Sequence, residues 1–329
     1  MDYIAPWWLP GGHLQTIYAA FAAPRPRLAY RRERWDAPDG DFVDLDWLEA
    51  KPAAGEAPLT VLFHGLEGGS RSHYALALMH AVRARGWRGV VAHFRGCSGE
   101  PNRLPRAYHS GDSAEIDWIL RRLRQRHPTT PLYAVGVSLG GNALLKWLGE
   151  TGAGACRLVE RAAAVSAPLD LMAAGEALGK GFNLLYAHHF LATLKRKALA
   201  KLTRHPGLYD AARVRAARTL RAFDDLVTAP LHGFRNTDDY WTRASSKPLL
   251  RHIAVPTLLI NARNDPFLPC SALPAPQEVA PPVVLEQPAS GGHVGFVSGA
   301  FPGSLDWLPR RILQFFAAGG QEMAHATVR

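Results

Sequence analysis

A chain of 329 residues, 47% hydrophobic and 20% charged, can bury a sizeable core and is neither a disordered nor a fibrous protein. Its net charge of +10, from 38 Lys and Arg against 28 Asp and Glu, raises the question of nucleic acid, but positions 170–251 alone hold 14 basic against 7 acidic residues, so the excess is local. Three widely spaced cysteines, Cys97, Cys156 and Cys270, suit neither a disulfide framework nor a CxxC zinc site.

The opening Met-Asp-Tyr-Ile-Ala-Pro-Trp-Trp lacks the basic head and apolar run of an export signal, and no apolar stretch reaches the roughly 18 residues that span a bilayer. The expected compartment is the cytoplasm. Residues 1–29 read as an N-terminal arm. Tyr30 to Trp35 and Phe42 to Trp47 then flank the turn signal Pro38-Asp39-Gly40, predicting an antiparallel hairpin. From there short apolar runs alternate with amphipathic ones, as parallel strands alternate with helices. The predicted strands are Leu59 to Phe63, Gly89 to His93, Leu132 to Val137, Ala162 to Ser166, Pro256 to Asn261 and Val283 to Glu286. Most lack polar alternation, as in sheets buried on both faces. The predicted helices are Ser72 to Arg85, Asp112 to His127, Leu139 to Gly149 and Gly303 to Ala317. Asp112 with Glu115 three residues on reads as an N-cap.

The alternation stops after Pro168 and resumes near Ile253. The intervening 169–251 reads as a helical cap inserted into a core made of 1–168 and 252–329. Its basic cluster, Lys195, Arg196, Lys197, Lys201 and Arg204, reads as a solvated helix face; a nucleic-acid partner is not expected. The phosphate-loop echo at Gly175 has the wrong spacing and lacks the Ser/Thr.

One turn carries the chemistry. Gly136-Val137-Ser138-Leu139-Gly140 matches G-x-S-x-G between an apolar strand and a helix-forming run, the setting of a nucleophile elbow. A serine hydroxyl needs a base, and the base an orienting acid, in the chain order Ser, acid, His. Asp265 follows the strand Pro256 to Asn261, and His293 follows Val283 to Glu286 in a glycine-flanked loop. The rival acid, Asp170, reads as the N-cap of the first insertion helix. The two backbone donors that an oxyanion requires are assigned to Leu139 and to Leu66, which follows His64-Gly65. His64 reads as a pillar of that loop; His188 and His189 read as structural.

In their order these motifs resemble the α/β-hydrolase superfamily: a mostly parallel sheet flanked by helices, with a helical cap. More narrowly, Pro6 to Thr16 (PWWLPGGHLQT), His64 to Ser70 (HGLEGGS), His93 to Glu100 (HFRGCSGE) and Asn261 to Phe267 (NARNDPF) resemble its YheT-like branch of esterases, ester synthases and lipid hydrolases. The resemblance implies a serine hydrolase of carboxylic esters, short to medium in acyl length, acting through an acyl-enzyme without cofactor or metal. The alternative is transfer of the same acyl group to an alcohol. A membrane anchor like that of the mammalian relatives is not expected, and Trp7 and Trp8 are expected to pack against the sheet edge or the cap rather than to sit in lipid.

Overall fold

The computed structural model describes residues 2–48 and 57–326. Eight strands form one sheet: β1 (Tyr30–Asp36), β2 (Phe42–Leu48), β3 (Leu59–Phe63), β4 (Arg88–Ala92), β5 (Leu132–Val137), β6 (Arg161–Val165), β7 (Thr257–Ile260) and β8 (Val283–Glu286). In space they run β1-β2-β4-β3-β5-β6-β7-β8, with β2 antiparallel to both its neighbours and every later pair parallel. The hairpin and all six later strands therefore stand where the apolar runs predict them, to within a residue or two.

The side-chain period of two sorts the core into two layers. Leu59, Val61 and Phe63 of β3 and Ala134 of β5 face one cluster, whereas Leu62, Val135 and Val137 face the other. The helices divide accordingly. After α1 (Gly12–Phe21), which precedes the sheet, come α2 (His73–Ala84), α3 (Ser113–Arg126) and α4 (Leu139–Thr151). Ile116, Ile119 and Leu120 of α3 and Leu144 and Trp147 of α4 cover the first face. Leu78, Met79 and Val82 of α2 cover the second, together with Leu308, Ile312 and Phe316 of the C-terminal helix.

Between β6 and β7 the chain forms helices and no strand: α5 (Leu171–Leu178), α6 (Asn183–Lys201), α7 (Ala211–Ala216), α8 (Leu220–Phe223), α9 (Ala229–Leu231) and α10 (Thr237–Ala244). A π-turn, Asp224–Thr228, joins α8 to α9. This segment has a small apolar cluster of its own, built from Leu191, Ala198, Val214, Phe223 and Val227. The last helix, α11, spans Trp307–Ala326. It begins four residues later than expected because Ser304 pairs with Ser298 in an isolated bridge and Gly303 has a positive φ.

Two local expectations need correction. Asp112 occupies the N-cap position of α3 but makes no capping bond. Its carboxylate accepts from the half-buried Arg106 (2.6 Å) and that of Glu115 from the buried Arg95 (2.5 Å), because the two arginines compete for the acids more strongly than backbone amides do. The basic cluster of α6 is not simply a solvated face. Lys201 donates to the carbonyls of Pro105 and Arg106 (both 2.8 Å) and Lys197 to Glu67, so these two cations tie α6 to the core loops, while Lys195 donates to the carbonyl of Arg215 in α7.

Candidate active site

At the end of β5 the backbone must turn at once into α4, and Ser138 makes that turn with φ +53° and ψ −122°. This left-handed region is costly for a residue with a Cβ, on the order of 1–3 kcal/mol, and persists only where the surroundings enforce it. Here they do. A Cβ on Gly136 would lie 2.5 Å from the carbonyl oxygen of Gly140, and one on Gly140 would lie 2.5 Å from that of His64, so both glycines of the motif exist to let strand, turn and helix approach. The Ser138 N–H donates to Val165 O of the neighbouring strand (2.8 Å), and its carbonyl accepts from Asn142 N (3.0 Å).

The structure brings the three separated residues together. His293 Nε2 stands 2.9 Å from Ser138 Oγ, and His293 Nδ1 stands 2.9 and 3.2 Å from the two Asp265 oxygens. With Nδ1–H donating to the acid, Nε2 is left free to accept the serine proton. The Phe267 N–H donates to Asp265 Oδ1 (2.8 Å) and its ring stacks on the imidazole, centroids 4.1 Å apart. Asp265 and His293 are buried, His293 at 9% exposure. Asp170, the rival acid, accepts from Ala173 N (3.0 Å) and caps α5.

The loop after β3 carries Leu66, the other backbone donor expected from the sequence. Gly65 N donates to Tyr74 Oη (2.8 Å), Glu67 N to Tyr108 Oη (2.9 Å) and Gly68 N to Gly65 O (2.9 Å). Among the described residues only the Leu66 N–H of this run has no acceptor, and it lies beside Ser138 on the wall of one cavity. Leu139 N, at the first position of α4, is likewise free of an intrahelical partner. His64 is fully buried: Nδ1 donates to Gly65 O (2.8 Å) and Nε2 accepts from Phe94 N (3.0 Å). Burial pushes its pKa down to about 3, so the ring stays neutral and holds the loop.

Two cavities meet at Ser138. One, with about 850 Å³ of space that is partly open to solvent, lies under the helices between β6 and β7 and is lined mostly by apolar side chains including Leu171, Ala174, Leu194 and Phe223. The other, about 1310 Å³, runs between α1 and α6 past Phe21, Arg25, Phe182 and Leu185. Leu66, Ser138, Phe190, Phe267 and His293 border both.

Comparison with known proteins agrees with this fold. A family model described as alpha/beta hydrolase fold matches residues 58–300. A protein of Escherichia coli (strain K12) named YheT and described as a candidate esterase is 42% identical over 302 residues, 91% of this chain and 88% of that one. The human phospholipase ABHD3 is 31% identical across 94% of this chain and 77% of its own length. Among solved structures, a Pyrococcus furiosus esterase superposes with a TM-score of 0.55 at 15% identity, covering 90% of this chain and 96% of that one. The chain belongs to the α/β-hydrolase family, in its YheT-like branch.

What reading the sequence of this hydrolase missed is the work of its N-terminal arm. Gln15 Oε1 accepts from Gly291 N (2.8 Å) and from Asn264 Nδ2 (3.0 Å), so one buried amide ties the histidine loop to the acid loop. Thr16 Oγ1 accepts from His293 N (2.8 Å) and donates to Gly12 O (2.7 Å). A Cβ on Gly12 would collide with the carbonyl of Asn264, which accounts for the second glycine of Pro-Gly-Gly-His. Ser166 joins them, accepting from Val294 N (3.0 Å). Trp8 packs on Tyr18 and Phe301 and donates to Gly299 O, and Trp7 is 92% exposed, so neither sits against the sheet edge or the cap as expected. The phosphate-loop echo is the second half of α5, where Gly175 faces the Trp241 ring. No helix among the described residues is long and apolar enough to cross a membrane, and no group of three or more His, Cys, Asp or Glu among them is placed to hold a metal ion.

Proposed function

We propose that this hydrolase cleaves carboxylic esters, of short to medium acyl length, through an acyl-enzyme on Ser138. The observation that carries the reading is the continuous relay Ser138 Oγ, His293 and Asp265, with contacts of 2.9 Å at both ends. As Ser138 attacks the ester carbonyl its proton passes to His293 Nε2, and the imidazolium so formed is stabilised by Asp265. The developing oxyanion lies between the N–H groups of Leu66 and Leu139. His293 then returns the proton to the departing alcohol, and water, activated by the same nitrogen, releases the acid.

The smaller, apolar cavity takes the acyl chain, and the wider groove beside α1 takes the alcohol, with the helical segment 169–251 acting as the cap between substrate and solvent. Kinship with the esterase and the phospholipase supports an ester as the bond broken. A panel of p-nitrophenyl esters from acetate to palmitate tests the reading, with fluorophosphonate labelling alongside it. Ser138→Ala is expected to lose turnover by on the order of 10⁵-fold or more and to abolish labelling. Asp265→Asn removes most turnover, whereas Asp170→Asn touches only the α5 cap. Unlabelled wild-type protein, or an unimpaired Ser138→Ala variant, would refute the mechanism; equal activity at every chain length would refute the shaped acyl cavity.

A further inference from the structure

The smaller cavity has one feature that a plain alkyl chain does not require. Among the described residues Asp224 is the only carboxylate on its wall, set among leucines, phenylalanines and the Trp241 ring. It starts the π-turn Asp224–Thr228, an irregularity of helices that often accompanies functional sites. The turn places Thr228 so that its hydroxyl donates to Asp224 Oδ1 (2.6 Å), while Trp241 Nε1 donates to Oδ2 (2.9 Å). Each carboxylate oxygen thus takes one bond from protein, of roughly four that the group accepts. Asp224 keeps some accessible surface while lining the cavity. Tyr240, whose oxygen accepts from Ser110 N (2.9 Å), borders the same space and adds a second polar tip. Burying an acid in an apolar wall is unfavourable unless its remaining valences are used.

We propose that Asp224, flanked by Thr228 and Tyr240, is a subsite that hydrogen-bonds a hydroxyl carried on the substrate's acyl chain, so that hydroxyacyl esters are selected over alkanoyl esters of the same length. This rests on Ser138 being the ester-cleaving nucleophile. A hydroxyl is the fitting partner because it is both donor and acceptor and is cheap to desolvate. An ammonium would have to shed its hydration among leucines, and a second carboxylate would meet Asp224 as a like charge.

The test compares kcat/KM for methyl esters of ω-hydroxyalkanoic acids with those of the unsubstituted acids, from butanoyl to dodecanoyl, which carries the hydroxyl to each depth of the cavity. In the wild type the hydroxy-to-plain ratio exceeds one at some chain length. Asp224→Leu lowers the ratio there by about tenfold or more, by slowing the hydroxyacyl ester and speeding the plain one. Asp224→Asn, which keeps an acceptor oxygen, retains part of the preference. A ratio that is the same in wild type and Asp224→Leu at every length overturns the subsite. Melting temperature and fluorophosphonate labelling of Ser138 show whether each variant is folded. Should the leucine variant not fold, a wild type that never prefers the hydroxyacyl ester overturns the proposal by itself. Failure of the wild type to be labelled strikes the ester-cleaving reading instead, which keeps the two failures apart.

Discussion

Two segments outside the sheet close on Ser138, and they do so with different chemistry. The N-terminal arm meets the catalytic loops through buried hydrogen bonds: Gln15 to the acid and histidine loops, Thr16 to the backbone of His293 itself. The helices between β6 and β7 meet the site mostly through apolar side chains such as Leu171, Ala174, Phe190 and Leu194, with a few polar struts, among them Lys197 to Glu67 and Asn183 to the Pro266 carbonyl. Hydrogen bonds fix positions to a fraction of an ångström; apolar walls fix only volume. The arm should therefore govern how fast the relay works, and the helical segment which acyl groups reach it.

The sharpest way to break this contrast is at Gln15. Replacing it by Leu strips acceptors from two donors in a buried setting, Gly291 N and Asn264 Nδ2, at about 1–3 kcal/mol each. It also frees the His293 loop to move relative to Asp265. A displacement of about 1 Å at a reacting group costs on the order of 100-fold in rate, and kcat on p-nitrophenyl butyrate should fall by that order with little change in KM. An equal rise in KM would mean that the arm shapes substrate as well.

The matching change on the other side is Ala174→Leu. Ala174 is 4% exposed and lines the smaller cavity, so added methyl groups shorten the space available to an acyl chain. Activity on decanoyl esters should drop by about tenfold, in keeping with the 1–3 kcal/mol cost of overpacking, and activity on acetyl esters by much less. Chain-length profiles that fall in parallel would contradict the division of labour.

Lys197 is the point where the two descriptions meet, since it reaches from α6 to the loop that presents the Leu66 amide. Its Nζ lies 2.8 Å from Glu67, whose backbone has φ +55° and whose carboxylate also accepts from Tyr108 (2.8 Å). Because Lys197 is 36% exposed, solvent weakens the pair to the ordinary surface range of about 0–1 kcal/mol. Lys197→Met should then lower kcat/KM by only about two- to fivefold, and raising the salt concentration should bring the wild type toward the variant.

The sheet was legible because its strands are runs such as Leu59 to Phe63, buried on both faces, and because a serine between glycines after such a run has few other uses. The acid and histidine could be placed because the chain order of the relay demanded one after each of the last two strands. The arm was not legible. Gln15 and Thr16 act on residues about 250–280 positions away through one amide and one hydroxyl, and a single hydrogen bond leaves no periodicity; only the paired Gly11-Gly12 hinted at a close approach. The cations of α6 misled for a related reason. A lysine bound to a carbonyl and one pointing into water look alike until the partner loop, here 104–106, is in place.

The smallest effect concerns Asp224, in the helical segment, and reads stability rather than rate. Burial pushes its carboxyl up to about 6, against the bonds from Thr228 and Trp241, which favour the charge. The folded protein therefore holds this proton more tightly than the unfolded chain, whose aspartates titrate near about 3.9. The stability linked to it is fully present below that value and is lost as the pH rises through about 6. Asp224→Asn cannot ionise, so its melting temperature relative to the wild type should rise between about pH 4 and pH 7 and then level off. Gln15→Leu, which removes no titrating group, should show a stability deficit that stays constant over the same interval. A pH-independent gap for Asp224→Asn would mean that the carboxylate is solvated in the cavity, and the contrast between a hydrogen-bonded arm and an apolar helical segment would have to be redrawn at that residue.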